Sequence, residues 1–200
     1  NLKIGVVNFN PMPKMFFNQS LKNFRLSSIS QKINLLNNQS VDFIITKKFD
    51  KTFSKTKSIN FIKNILSNKL KARFIFVSSN FRFGNKREGD VGFLIQNEKK
   101  YNYQVVKPKP LLINRKIVSS SLIRSYLEKG FLEKANKLLN RKWSIEGVVQ
   151  KGRQVGKKIG FPTCNIDIKD YVLAKPGVYA VKVLKKNNFK ILKGIANLGY

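Results

Sequence analysis

Between Ile4 and Val106 the chain alternates short apolar runs with stretches whose apolar residues recur at helical spacing. This alternation constrains the fold most, because parallel strands need a crossover between them and a right-handed helix commonly provides it. I-G-V-V-N-F (4–9) reads as a buried strand stopped by Pro11 and Pro13. Ile29, Ile33 and Leu36 predict a helix beginning near Ser28. V-D-F-I-I-T (41–46) is a second strand, and Ser58 is expected to cap a helix bearing Ile59, Ile62, Leu66 and Leu70. A third strand spans 74–77, Asp90 caps a short helix with Val91, Leu94 and Ile95, and 103–106 is a fourth strand. Helices are predicted over 119–128, entered through three serines and stopped by Gly130, and over 133–139.

After Arg141 the helical spacing ends. Residues 143–149 and 178–184 alternate as strands do, with Gly and Pro between them. A boundary near Asn140 therefore separates an α/β domain, 1–140, from a β part, 141–200. In open α/β sheets ligands bind beyond the carboxyl ends of the strands, so residues just after strands are the candidates.

Composition narrows the class. Apolar residues make up 42% of the chain, enough for a core, and no apolar stretch reaches membrane-spanning length. The N-terminus has no signal-peptide pattern, and no initiator Met precedes its first strand, so the chain is expected to start within a domain. One cysteine, Cys164, cannot close an intrachain disulfide, and His is absent; a cytoplasmic setting fits. The net charge of +30 favours polyanions, and a basic RNA-binding protein is the rival reading. Yet the basic residues are spread along the chain, and Lys outnumbers Arg 32 to 8, beside 22 Asn and 5 Ala. An A/T-rich codon bias explains that pattern, so no dedicated nucleic-acid partner is expected.

Three motifs carry candidate chemistry. V-S-S-S-L-I-R (118–124) places Ser120 and Ser121 at a helix start with Arg124 one turn in, which suits a phosphate or a plain N-cap with a surface arginine. S-N-F-R-F-G (79–84) follows a strand; Asn80 and Phe81 suit a planar ring, or the loop is simply anchored by its phenylalanines. The third motif, 152–165, holds Gly152, Gly156, Lys157, Gly160, Phe161, Pro162, Thr163 and Asn165. Its glycines admit a phosphate, while Thr163 and Asn165 share a side of an extended segment and suit Mg2+. A glycine-rich hairpin is the plainer alternative, with Cys164 facing away as a small buried thiol.

Together, F-R-F-G, S-S-x-x-I-R and G-F-P-T-x-N, in this order, resemble the prokaryotic bifunctional riboflavin kinase/FAD synthetase (FMN adenylyltransferase) family. The resemblance extends to N-F-N-P-M-P (8–13), R-L-S-S-I-S-Q-K (25–32), R-E-G-D (87–90), G-V-Y-A (177–180) and G-I-A-N-L-G (194–199). It implies an α/β nucleotidylyltransferase-like (Rossmann-like) domain followed by part of a small antiparallel β-barrel of riboflavin kinase type. It also implies two ATP-dependent reactions: phosphorylation of riboflavin to FMN and adenylylation of FMN to FAD. Ser120, Ser121 and Arg124 are then expected to hold ATP phosphates, with Asn80 and Phe81 in the flavin or nucleotide site. Gly156 to Phe161 are expected to form the kinase phosphate loop, with Thr163 and Asn165 on MgATP. The partners are small molecules: ATP, riboflavin, FMN and FAD. By this resemblance the family's first strand and its histidine loop would precede Asn1, and the kinase general-base Glu would follow Tyr200. A chain truncated at both ends is expected to be weak or inactive. A monofunctional adenylyltransferase is the alternative enzyme, and G-F-P-T-x-N speaks against it.

Overall fold

The computed structural model describes residues 2–150, 160, 163–185 and 190–199. In chain order come β1 (Gly5–Asn10), α1 (Pro13–Phe17), α2 (Ile29–Asn37), β2 (Phe43–Lys48), α3 (Lys51–Ser54) and α4 (Ser58–Asn60). A π-helix (Phe61–Lys69), β3 (Phe74–Phe76), β4 (Arg82–Phe83), β5 (Gly89–Asp90), α5 (Val91–Gln96), α6 (Glu98–Tyr101) and β6 (Gln104–Val106) follow. Then come β7 (Leu112–Ile113), β8 (Lys116–Ile117), α7 (Ser120–Glu128) and α8 (Leu132–Leu139). The last strands are β9 (Val149–Gln150), β10 (Asn165–Ile166), β11 (Gly177–Leu184) and β12 (Ile191–Leu198). The chain forms two compact units, Asn1–Asn18 with Asp42–Ile117, and Gln19–Val41 with Val118–Tyr200.

In the first unit the predicted parallel pairing is present. β1 runs parallel to β2, Gly5 opposite Phe43 through Asn10 opposite Lys48, and β3 runs parallel to β6. These are separate two-stranded ladders, beside the small antiparallel pairs β4–β5 and β7–β8. β2 starts two residues later than the apolar run predicts; just ahead of it the Asp42 N–H donates to the Ile4 carbonyl at 2.8 Å while the Asp42 carboxylate, rather than its carbonyl, accepts from the Ile4 N–H at 2.6 Å. The core gathers Phe61, Ile62, Leu66, Ile75, Phe83, Leu94 and Tyr103.

Ser58 does not cap its helix. Lys57 occupies that position without a side-chain bond, and the Ser58 N–H donates to Glu88 Oε1 at 2.6 Å. The helix then winds as a π-helix, which brings the buried Phe61 and Leu66, five residues apart, onto one face. Asp90 does cap α5 as predicted, accepting from Phe93 N at 2.9 Å.

Tyr103 is 6% exposed, and its hydroxyl donates to the Leu94 carbonyl at 2.7 Å. Burial, chiefly, and nearby Glu98 push its phenol up to about 12 from 10.0. The folded state therefore holds this proton more tightly than the unfolded state does. Its contribution to stability is complete below pH 10 and fades as pH rises toward about 12. Spectrophotometric titration should find one tyrosine ionising late, and Tyr103→Phe should remove that late step.

In the second unit α7 and α8 bury Ile123, Leu127 and Ala135 with Val172. Gly130, at φ +78, follows α7 where predicted. Leu127 is fully buried, so Leu127→Ala is expected to cost about 2–5 kcal/mol, read from the shift of a urea midpoint. β11 and β12 pair antiparallel over eight positions, and β9 pairs with β10. Among the described residues these strands do not close into a barrel.

The strand predicted over 143–149 is not formed, except that β9 begins at Val149. Side chains take the hydrogen bonds a ladder would have used. Asn136 Oδ1 accepts from Trp143 N at 2.6 Å, and the Tyr171 hydroxyl accepts from Glu146 N at 3.1 Å. The indole N–H of Trp143 donates to the Leu26 carbonyl at 3.0 Å.

Candidate nucleotide and flavin sites

The loop after β3 surrounds an open cavity of about 380 Å3 lined by Ser79, Asn80, Phe81, Arg82, Arg87, Asp90, Val91 and Gly92. Its floor is aromatic. Phe81 and Phe83 stack with centroids 5.5 Å apart and planes 17° apart, and Phe83 is buried in the core. Phe83 also meets Phe61, and through it Phe53 and Phe9, so an aromatic row backs the loop. Asn80 is exposed, its Oδ1 accepting from Ser78 Oγ at 2.8 Å. Arg82 pairs with Asp90 at 3.2 Å. The structure thus brings Asn80 and Phe81 to one cavity with two arginines.

At the start of α7 Ser119 is the cap, its Oγ accepting from Leu122 N at 3.2 Å. Ser120 and Ser121, in the first turn, are exposed. Arg124 is half-buried: its Nε–H donates to the Phe24 carbonyl at 2.8 Å, and its Cζ lies 3.7 Å from the Phe24 ring centroid. Burial is the main cause lowering this guanidinium below its ordinary value, with Glu128 opposing it. An arginine stays protonated even so. Arg124 is thus held in place by Phe24 rather than free on the surface.

In the glycine-rich motif, Gly152, Gly156, Lys157, Phe161 and Pro162 lie outside the described residues. Gly160 has φ +81 with open space around it. Thr163 and Asn165 are both exposed, and Asn165 pairs with Gln150 across β9–β10. The segment between Gln150 and Asn165 thus joins the two strands of an antiparallel pair. Cys164, expected to be buried, is exposed. Cys164 lies just ahead of β10, outside the ladder.

Two features escaped the sequence reading. One is a cavity of about 400 Å3 beside β9–β10, lined by Gln150, Ile166, Asp167, Leu173, Ala174 and Leu198 among others. The Lys169 backbone N–H, donated at 3.0 Å, is the main cause holding the Asp167 carboxyl below its usual range. The other is a buried polar hub. Ser28 and Gln31 form a reciprocal cap on α2, and Gln31 Oε1 also accepts from the Tyr171 hydroxyl at 2.8 Å. Gln31 Nε2 reaches the Ser144 carbonyl and Oγ at 3.0 and 3.2 Å. The R-L-S-S-I-S-Q-K stretch thereby has a structural task, but its partners sit more than a hundred residues away and no local pattern announces them. Among the described residues, no three His, Cys, Asp or Glu side chains cluster to hold a metal. None of the described helices is long and apolar enough to cross a membrane.

A family model described as FAD synthetase matches residues 1–122, and one described as riboflavin kinase matches residues 139–200. Proteins named bifunctional riboflavin kinase/FMN adenylyltransferase align along the chain. That of Buchnera aphidicola subsp. Schizaphis graminum is 38% identical over 200 residues, covering 100% of this chain and 64% of its own length. That of Escherichia coli K12 is 33% identical over 199 residues, covering 100% of this chain and 63% of its own. The chain thus spans a little under two thirds of the length of these relatives. A crystal structure described as a macrolide-efflux protein from Streptococcus pneumoniae superposes with TM-score 0.78 over 99% of this chain and 64% of that one. At 21% identity that is a likeness of fold alone. By the match over residues 1–122, followed by the riboflavin kinase match from residue 139, the chain belongs to the FAD synthetase family.

Proposed function

We propose that the chain serves flavin-cofactor synthesis through two ATP-dependent transfers, riboflavin to FMN and FMN to FAD. The observation that carries this reading is the ordered pair of family matches, whose relatives are named for both activities. The same pair favours it over a basic RNA-binding protein and over a monofunctional adenylyltransferase.

In this reading residues 1–140 are a nucleotidylyltransferase-like domain and 141–200 begin a riboflavin kinase-like barrel. Adenylyl transfer joins a phosphate oxygen of FMN to the α-phosphorus of ATP as pyrophosphate leaves. Ser120 and Ser121 offer hydroxyls and the N–H groups of the first turn of α7, where the helix dipole favours phosphate. Arg124 packs its guanidinium carbon 3.7 Å from the Phe24 ring centroid and uses Nε on the Phe24 carbonyl, so its terminal N–H groups are the ones offered to phosphate. Asn80 and Phe81 hold the flavin ring. In the kinase step the riboflavin hydroxyl attacks the γ-phosphorus of ATP and ADP leaves. Thr163 and Asn165 would supply oxygens to a Mg2+ that accompanies ATP and would neutralise phosphate charge; Gly152, Gly156, Lys157, Gly160, Phe161 and Pro162 belong to the same stretch of sequence. The donor set suits this: a hydroxyl and an amide are too few to hold the ion alone but enough to complete a phosphate-bound one. The substrates are small molecules.

Arg124→Ala tests the reading. On the chain joined to the flanking segments its relatives carry, FAD formation from FMN and MgATP should slow about 10–100-fold, the loss of a charge-assisted hydrogen bond. An unchanged rate would remove Arg124 from the phosphate site. No FAD from the unsubstituted protein would remove the enzyme reading.

A further inference from the structure

The four residues Arg87 to Asp90 differ sharply in what they do for the fold. Glu88 Oε1 accepts the Ser58 N–H at 2.6 Å. A Cβ on Gly89 would lie 2.8 Å from the Phe83 ring, so only glycine fits there. Asp90 caps α5 and pairs with Arg82. Arg87 is the exception. Its side chain is exposed and lines the cavity beside Asn80 and Phe81, and it makes no ion pair or side-chain hydrogen bond among the described residues. Its backbone is nevertheless held in the left-handed region at φ 61, directly after Lys86 at φ 49. The turn links the antiparallel strands β4 and β5 and is held by the Arg87 N–H on the Gly84 carbonyl and the Glu88 N–H on the Asn85 carbonyl, both at 3.1 Å, so the backbone is fixed by the fold while the side chain is left to the cavity.

Charge says what the cavity takes. Its one lining carboxylate, Asp90, is already committed to Arg82. Besides Arg82, Val91 and Gly92, the remaining lining is a stacked phenyl ring, an amide, a hydroxyl and the Arg87 guanidinium. That combination fits an anionic phosphate attached to a flat ring, and FMN is such a molecule.

We infer that Arg87 is a specificity-determining residue that binds the phosphate of FMN, so that the cavity discriminates FMN from riboflavin. The inference rests on the flavin reading of the Asn80–Phe81 loop. It adds that the left-handed turn linking β4 to β5 places this guanidinium at the cavity.

The experiment is a pair of fluorescence titrations of the chain, with FMN and with riboflavin, on the unsubstituted protein and on Arg87→Ala, Arg87→Gly and the remote control Lys63→Ala. Arg87→Ala should weaken FMN about tenfold or more and leave riboflavin unchanged, the size expected for one charge-assisted hydrogen bond. Arg87→Gly should lose FMN to the same degree while melting at the same or a higher temperature, because glycine relieves the left-handed conformation. Unchanged FMN affinity in Arg87→Ala would overturn the inference. An equal loss in Lys63→Ala would overturn it too, since general charge would then be responsible. FMN and riboflavin binding equally well to the unsubstituted chain would also overturn it, while leaving the flavin site itself standing. Failure of both flavins to bind would instead take down the flavin reading, and the phosphate subsite with it.

Discussion

Gly84→Ala is expected to destabilise the first unit by roughly 3 kcal/mol or more. Gly84 sits at φ 79, ψ 175, a region in which essentially only glycine is found. A Cβ added there would lie 2.8 Å from Ser58 N, 2.9 Å from its Cα and 2.9 Å from its Cβ. That backbone has nowhere to go. The Ser58 N–H is tied to Glu88, and two residues earlier the Thr56 carbonyl accepts from Asn85 N at 2.8 Å. Strain and overpacking therefore add, and their sum is a large part of a typical domain's net stability. Urea denaturation followed by tryptophan-independent far-UV signal reads the effect. A midpoint equal to the unsubstituted chain's would mean that Gly84 is not forced into this conformation. The same substitution should also open the Asn80–Phe81 cavity, since Gly84 sets the turn behind it.

Gln31→Leu should cost the second unit about 2–4 kcal/mol, although leucine is the more apolar residue and Gln31 is only 6% exposed. The loss comes from what is left behind. Ser28 N, the Tyr171 hydroxyl and the Ser144 carbonyl and hydroxyl each lose the Gln31 amide. Tyr171→Phe should cost less, about 1–3 kcal/mol, because Gln31 keeps its other bonds. Since both changes cut the same bond, the double variant should be clearly less destabilised than the sum of the two. Strict additivity would show that the hub is not one coupled network. Because the hub also fixes the Glu146 N–H just before β9, its loss should raise hydrogen exchange in β9 and β10.

Local rules read well where the decisive interaction is local. Asp90 and Ser28 cap because each side chain meets an N–H three residues on, and Gly130 ends α7 where predicted. The parallel pairs of the first unit follow from strand–helix alternation. Local rules fail where a distant group takes over. Ser58 has the sequence of a cap, yet Glu88, thirty residues later, claims its N–H. Residues 143–148 have the alternation of a strand, yet Asn136 and Tyr171 take hydrogen bonds of that stretch. The sites divide in the same way. The residue types for phosphate and flavin are legible in three short motifs, whereas the docking of Arg124 onto Phe24 and the placing of Arg87 at the cavity are matters of packing.

The most direct test of the flavin account is titration of FMN fluorescence with the chain in the presence of MgATP, at low and at high salt. A ring held by Phe81 and Asn80 in a formed cavity should be quenched saturably, with an affinity that falls with salt by no more than the about tenfold that one exposed guanidinium–phosphate contact contributes. Binding through the net charge of +30 behaves otherwise, because counterion release makes such affinity collapse with salt. Saturable quenching that survives high salt is the predicted result; quenching that is absent, or lost as salt rises, would contradict the account.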